Sequence, residues 1–196
     1  MELSPFIILI AAVFTHNIAL VYLLGMCPFI AMSKNLGTAS GMGIAVTIVL
    51  VITASINWLL LHFLLIPTHS TIMSYLVYII VIASVVQLLE MIVERFFPKL
   101  EGSFGLYLPL ITVNCAILAV SLFMDLRTYT FWQTVGFSAG SGIGWWLAIV
   151  IIASIREKML LISDVPDGLR GAGIAMVIAG ILALAFMGFS GMVAVQ

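Results

Sequence analysis

The residues best equipped for chemistry are Cys27 and Cys115, the only cysteines in a chain of 196 residues. Each lies in an apolar stretch beside helix-disrupting residues: Leu24-Gly25-Met26-Cys27-Pro28, and Leu108-Pro109-Leu110-Ile111-Thr112-Val113-Asn114-Cys115. Three chemistries are open to them. A free buried cysteine behaves as a small hydrophobe, two that meet near the outer face can form a disulfide, and two thiolates can ligate metal. An iron–sulfur cluster normally takes four thiolates, so two make half a site. His16, His62 and His69 have no ligand spacing to either cysteine and do not complete the set. The residues alone leave the inert and half-site readings both open.

The neighbours of the cysteines are chemically suited to a bent backbone. Gly25 is free to adopt unusual dihedrals, Pro28 pushes Cys27 out of the α region, and Pro109 removes a helix hydrogen bond and bends its span. His16, Asn17 and Asn114 are polar groups inside apolar stretches, where such groups mark function by default. They can hydrogen-bond cluster sulfurs or simply tie helices together. Gly25, Pro28, Asn114 and Asn17 are therefore the candidates for a cluster environment. Glu90, with Gln87 near it, is the candidate for a Na⁺ or H⁺ path, against a local pairing or snorkelling role. The charged stretch Arg156-Glu157-Lys158 and Asp164 to Arg170 reads as a cytoplasmic loop that docks soluble subunits or anchors helix ends.

The elements that must position these groups are membrane helices. Hydrophobic residues make up 64% of the chain and charged residues only 8%, against about 25% charged in a soluble domain. Six apolar stretches, roughly 5–30, 41–66, 72–93, 103–124, 132–155 and 172–195, reach the length of about 20 residues that a spanning helix needs. The alternation of a membrane barrel is absent from stretches such as residues 43–56 and 75–89. The first run does not read as a cleavable signal, having Glu2 in place of a basic start. Lys34, Arg95, Lys99, Arg156, Lys158 and Arg170 fall on one side and Arg127 on the other, which places the first set in the cytoplasm and both termini outside. The sequence has no phosphate loop, zinc spacing, Ser/His/Asp set, nicotinamide or flavin motif, or basic cluster for nucleic acid.

The spans also repeat. Ser40-Gly41-Met42-Gly43 and Ser141-Gly142-Ile143-Gly144 stand 101 residues apart, and the cysteines fall in spans one and four. The expected fold is a single all-α membrane domain of six transmembrane helices, as two inverted three-helix repeats (about 1–98 and 99–196) with helices one and four broken. An odd number of spans per repeat inverts the second copy. Such folds place their site near the midplane at the broken helices, where irregular backbone is sheltered by protein. Depth gives a check. At 1.5 Å per residue, an unbroken first helix carries Cys27 about 33 Å inward and an unbroken fourth carries Cys115 about 18 Å outward. If the two share a ligand, span one is interrupted before Cys27 and a second half-helix starts near Pro28.

At LGMCPFIAMSK (24–34), LPLITVNCAI (108–117), GSGIGWWLAIVIIASIREKM (140–159), SDVPDGLRG (163–171) and ALAFMGFSG (183–191), the chain resembles the paired membrane subunits of the Rnf complex and of the sodium-pumping NADH:quinone reductase. The resemblance covers essentially the whole chain. It implies that Cys27 and Cys115 each give one thiolate to an intramembrane [2Fe-2S] cluster, completed by a homologous sister subunit of opposite topology. It further implies flavin-bearing membrane subunits and cytoplasmic iron–sulfur or flavin subunits as partners, in the cytoplasmic membrane of a bacterium or archaeon. Cys-Pro-Phe at 27–29 and the compact length are more like the Rnf subunit; GWWLAIV and SDVPDGLRG are more like the quinone-reductase subunit. The leading expectation is the Rnf type, a subunit of an ion-translocating oxidoreductase that is not catalytic alone. The alternatives are the E-type membrane component of the quinone reductase, an inverted-repeat secondary transporter, and a structural scaffold with inert cysteines.

Overall fold

The computed structural model describes residues 4–65, 71–96, 108–162 and 171–188, which form helices joined by turns, with no strand among them. In hydrocarbon every backbone N–H and C=O must be satisfied within the chain, so long apolar runs become helices. In chain order these are α1 (Pro5–Phe14), α2 (Met26–Met32), α3 (Leu36–Leu60), α4 (Thr71–Phe96), α5 (Leu108–Thr112), α6 (Cys115–Leu126), α7 (Phe131–Ile162) and α8 (Ala172–Met187). A π-helical turn, Leu61–Leu65, continues α3.

Three segments, Leu36–Leu64, Met73–Ile92 and Phe131–Met159, are long and apolar enough to cross a bilayer as continuous helices. The remaining stretches give shorter apolar helices, Pro5–Phe14, Leu110–Leu126 and Ala172–Met187. The chain is thus a multi-pass helical membrane protein. Its outer surface is apolar, as lipid requires: Ile44, Ile48, Ile52 and Ile56 form an exposed stripe down α3.

The core is built around α7, whose Trp145, Ala148, Ile149, Ile152 and Ala153 are fully buried. Small residues let its backbone touch its neighbours, the usual device where lipid supplies no hydrophobic drive. Gly136, Gly140 and Gly144 form a stripe against α1. A Cβ on Gly136 would lie 2.7 Å from the Pro5 carbonyl oxygen, on Gly140 2.5 Å from that of Leu9, and on Gly144 3.1 Å from that of Val13. Across the other face, Gly142 lies against Thr47 and Gly43 against Trp146 of the crossing between α3 and α7. One glycine from each of the two motifs that repeat in the sequence, Gly43 and Gly142, therefore packs at this crossing.

Neither the first nor the fourth apolar stretch is one helix. The first is interrupted at residues 15–25 and the fourth at residues 113–114. The second interruption is not at Pro109. That residue precedes the interruption, within the described part of α5.

Candidate functional site

The first interruption is a built structure. After α1 ends, Asn17 is wholly buried. Its Nδ2 donates to the Val13 carbonyl at 3.0 Å and to the Gly144 carbonyl of α7 at 2.9 Å. Its Oδ1 accepts from the backbone N–H of Ala19 at 3.0 Å and of Leu20 at 3.3 Å. Both donors and the acceptor oxygen of the amide are in use, so Asn17 replaces helix hydrogen bonds and leaves no donor for a sulfur. Ile18, Ala19 and Leu20 are buried beneath it, which shelters the irregular backbone.

The chain regains helix through two left-handed residues, Leu23 (φ 54°) and Gly25 (φ 78°). Gly25 is required for a second reason. A Cβ there would lie 2.7 Å from Asn114 Oδ1, 2.8 Å from Trp145 Nε1 and 3.2 Å from the Ala116 Cβ. Helix α2 then starts at Met26, with Cys27 second and a buried Pro28 third, inside the turn where a proline N–H is not missed. Phe29 packs edge-on against Trp145, ring centroids 5.9 Å apart.

The second interruption is shorter and is made by Asn114. Its extended backbone (φ −75°, ψ 110°) stops α5, and its Oδ1 caps α6 by accepting from the Ala116 N–H at 3.1 Å, a standard use of Asn. Cys115 is the first residue of α6. Because Gly25 abuts both Asn114 and Ala116, the structure brings the two interruptions together, each with a cysteine at the start of its half-helix. Both cysteines are free and exposed on the surface of the chain. A cavity of about 300 Å³ opens between α4 and the second interruption, lined by Ile79, Ile82, Ala83, Asn114, Cys115 and Leu118 among others.

Two N–H groups beside this junction, Asn114 Nδ2 and Trp145 Nε1, are buried without a hydrogen-bond partner. Such a group costs about 1–3 kcal/mol, which calls for an acceptor at the junction. Among the described residues no three His, Cys, Asp or Glu side chains gather to hold a metal. The chain therefore offers two thiols and orphaned donors, a set that fits half of a [2Fe-2S] site and asks for two more ligands from elsewhere.

The other candidates lie apart. Glu90 is half-buried on α4, with no ion pair or hydrogen bond among the described residues, and Gln87 is exposed. His16 is half-buried after α1, its Nε2 without a partner. Arg156 departs from its reading as part of a charged loop. It is on α7, 7% exposed, and donates to the carbonyls of Ile30 (3.2 Å) and Gly171 (3.1 Å) and to Ser33 Oγ. The guanidinium so holds the carboxyl end of α2, where a cation suits the helix dipole, to the start of α8. The sequence carries its signal: Arg156 follows Ile149, Ile152 and Ala153 at helical spacing on the buried face. Asp164 to Arg170 lies outside the described residues. Trp145 was visible only as part of a motif, because nothing in the sequence shows that its indole meets Gly25.

Known proteins resemble this chain over nearly its whole length. A family pattern described as "Rnf-Nqr subunit, membrane protein" matches residues 6–193. The chain belongs to the Rnf-Nqr family. Among its relatives is the E-type component of the Na(+)-translocating NADH-quinone reductase of Alcanivorax borkumensis, 49% identical over 195 residues, covering 93% of this chain and 94% of the relative. The corresponding components from Photorhabdus laumondii (50% over 188 residues) and Proteus mirabilis (48% over 188 residues) each align over 93% of this chain and 94% of their own length.

Proposed function

We propose that this chain is the E-type membrane component of a Na⁺-translocating NADH:quinone reductase, an oxidoreductase complex in which it is not catalytic alone. The observation that carries the branch is identity near one half, over nearly the full length, to proteins of that kind. This displaces the Rnf type as the leading reading; Cys-Pro-Phe at 27–29 does not outweigh likeness spread over the whole chain. The meeting of two cysteine-bearing interruptions supports an electron-carrying role over a solute transporter or an inert scaffold.

In this reading Cys27 and Cys115 hold half of a [2Fe-2S] cluster whose other two thiolates come from a homologous sister subunit facing the exposed cysteines. The group, when bound, supplies one-electron transfer within the membrane. The chain's own residues prepare the place. Asn17 and Gly25 stop the first helix so that Cys27 comes to the junction, and Asn114 does the same for Cys115. Cys115 stands at the start of α6, where the helix dipole suits a negatively charged sulfur. Asn114 Nδ2 and Trp145 Nε1 are donors suited to sulfur acceptors, and such bonds tune a cluster's potential. Further parts of the proposal are six spans in two inverted repeats, both termini outward, and docking of flavin-bearing membrane subunits and cytoplasmic redox subunits. Glu90 remains the proposed ion-path residue towards the cytoplasmic side.

The branch is tested by purifying the complex through a tag on this chain. NADH-driven quinone reduction that Na⁺ stimulates supports the proposal. A complex that instead passes electrons between ferredoxin and NAD⁺, with no quinone reduction, returns it to the Rnf type.

A further inference from the structure

Away from the cysteines, α3, α4 and α6 enclose a second polar group of residues. Tyr78 of α4 is wholly buried and its hydroxyl donates to the Asp125 carboxylate of α6 at 3.4 Å. One turn earlier on α6, Ser121, also wholly buried, accepts from Asn57 Nδ2 of α3 at 2.8 Å. Ser121 spends its own proton on the Ile117 carbonyl at 3.3 Å. Asn57 is wholly buried, yet its Oδ1 has no partner. Residues four apart share a helix face, so Ser121 and Asp125 present their oxygens along one side of α6.

The polarity of this cluster leans towards acceptors. One Asn57 N–H and the Ser121 and Tyr78 protons are engaged; what remains is the second Asn57 N–H, the oxygen lone pairs and one carboxylate. No cation answers that carboxylate among the described residues. Arg127, two residues on, is turned elsewhere: it donates to Tyr129 Oη at 3.1 Å and lies over the rings of Phe123 and Phe137 at 5.6 and 5.8 Å. A buried acceptor without a donor is costly, and an ionisable group at a membrane helix interface marks function by default.

We propose that Asp125, with oxygens of Tyr78, Asn57 and Ser121, forms a binding site for one Na⁺-sized alkali cation. Hard cations take oxygen ligands, and the single carboxylate balances one positive charge, not two. The site lies at the ends of α3 and α6 and near the start of α4, the side bearing Arg127, which is the outward side if the basic residues of the other loops face the cytoplasm. Glu90 stands twelve residues further along α4, about 18 Å towards the opposite side. In the proposed reductase, on which this role rests, Asp125 then takes a translocated Na⁺ on the outward side of Glu90.

The test uses the purified complex, with equilibrium binding of ²²Na⁺ for the site and Na⁺-dependent quinone reduction for its role. Asp125→Asn is expected to abolish one bound Na⁺ per complex and to raise half-saturating Na⁺ at least about ten-fold. Asp125→Glu should restore both to within about three-fold. Tyr78→Phe, which keeps the charge and the ring, should weaken binding about three-fold, and it decides the matter if Asp125→Asn does not assemble. Unchanged ²²Na⁺ stoichiometry and affinity in Asp125→Asn, or in Tyr78→Phe where only that variant assembles, overturns the site. If the wild-type complex binds ²²Na⁺ at Asp125 but its turnover ignores Na⁺, the site stands and the reductase reading fails.

Discussion

Gly25 carries the tightest constraint on a single residue. Its φ of 78° is left-handed, and a methyl group would collide with Asn114 Oδ1 and Trp145 Nε1. A non-glycine residue pays about 1–2 kcal/mol for that conformation alone, and overpacking adds about 1–3 kcal/mol. Gly25→Ala should therefore lower the thermal midpoint of the detergent-solubilised complex and separate the two cysteine-bearing interruptions; an unchanged midpoint would show that this junction is loosely built. That Gly25, Pro28 and Asn114 border interruptions was legible, because each residue type has a known backbone habit. The employment of Asn17 was not. An amide in an apolar stretch announces only that its hydrogen bonds must be made somewhere, and here all of them close on backbone, one from α7 across 127 positions. Pro109 lies before the second interruption, which Asn114 makes.

At the scale of elements, α1 sits on α7 backbone to backbone through Gly136, Gly140 and Gly144. The glycines were visible as small residues at four-residue spacing, but the helix that used them was not, since any neighbour profits from a smooth face. Gly140→Ala should destabilise by about 1–3 kcal/mol, because its Cβ would press on the Leu9 carbonyl and the Ala12 side chain. Gly180 on α8 supplies the contrast. A Cβ there meets nothing within 4 Å, so Gly180→Ala should leave stability unchanged or raise it by up to about 1 kcal/mol through helix propensity. Thermal denaturation of both variants checks the pair: equal effects would mean that the glycines act through propensity and not through contact. Arg156 belongs to this scale too. It joins the carboxyl end of α2 to α8, and so fixes the half-helix that carries Cys27 from its far end.

For the whole molecule, composition alone dictated a membrane protein, and runs of apolar residues gave the continuous helices α3, α4 and α7. The fine structure of the first stretch did not follow from hydropathy, because Ile18 to Leu24 are as apolar as a helix while folding otherwise. Depth anticipated it: two cysteines that share a ligand require span one to stop before Cys27, and α1 ends at Phe14 with α2 starting at Met26. The exposed, free thiols and the two orphaned donors are the groups that the proposed shared cluster would use. The measurement that tests this most directly is iron content with low-temperature EPR of the dithionite-reduced complex, in wild type and in Cys27→Ser and Cys115→Ser variants. Either substitution is expected to remove one [2Fe-2S] signal and about two irons per complex while the subunits stay assembled. Unchanged spectra and iron in both variants would contradict a shared cluster, leaving the cysteines as spectators at a helix junction.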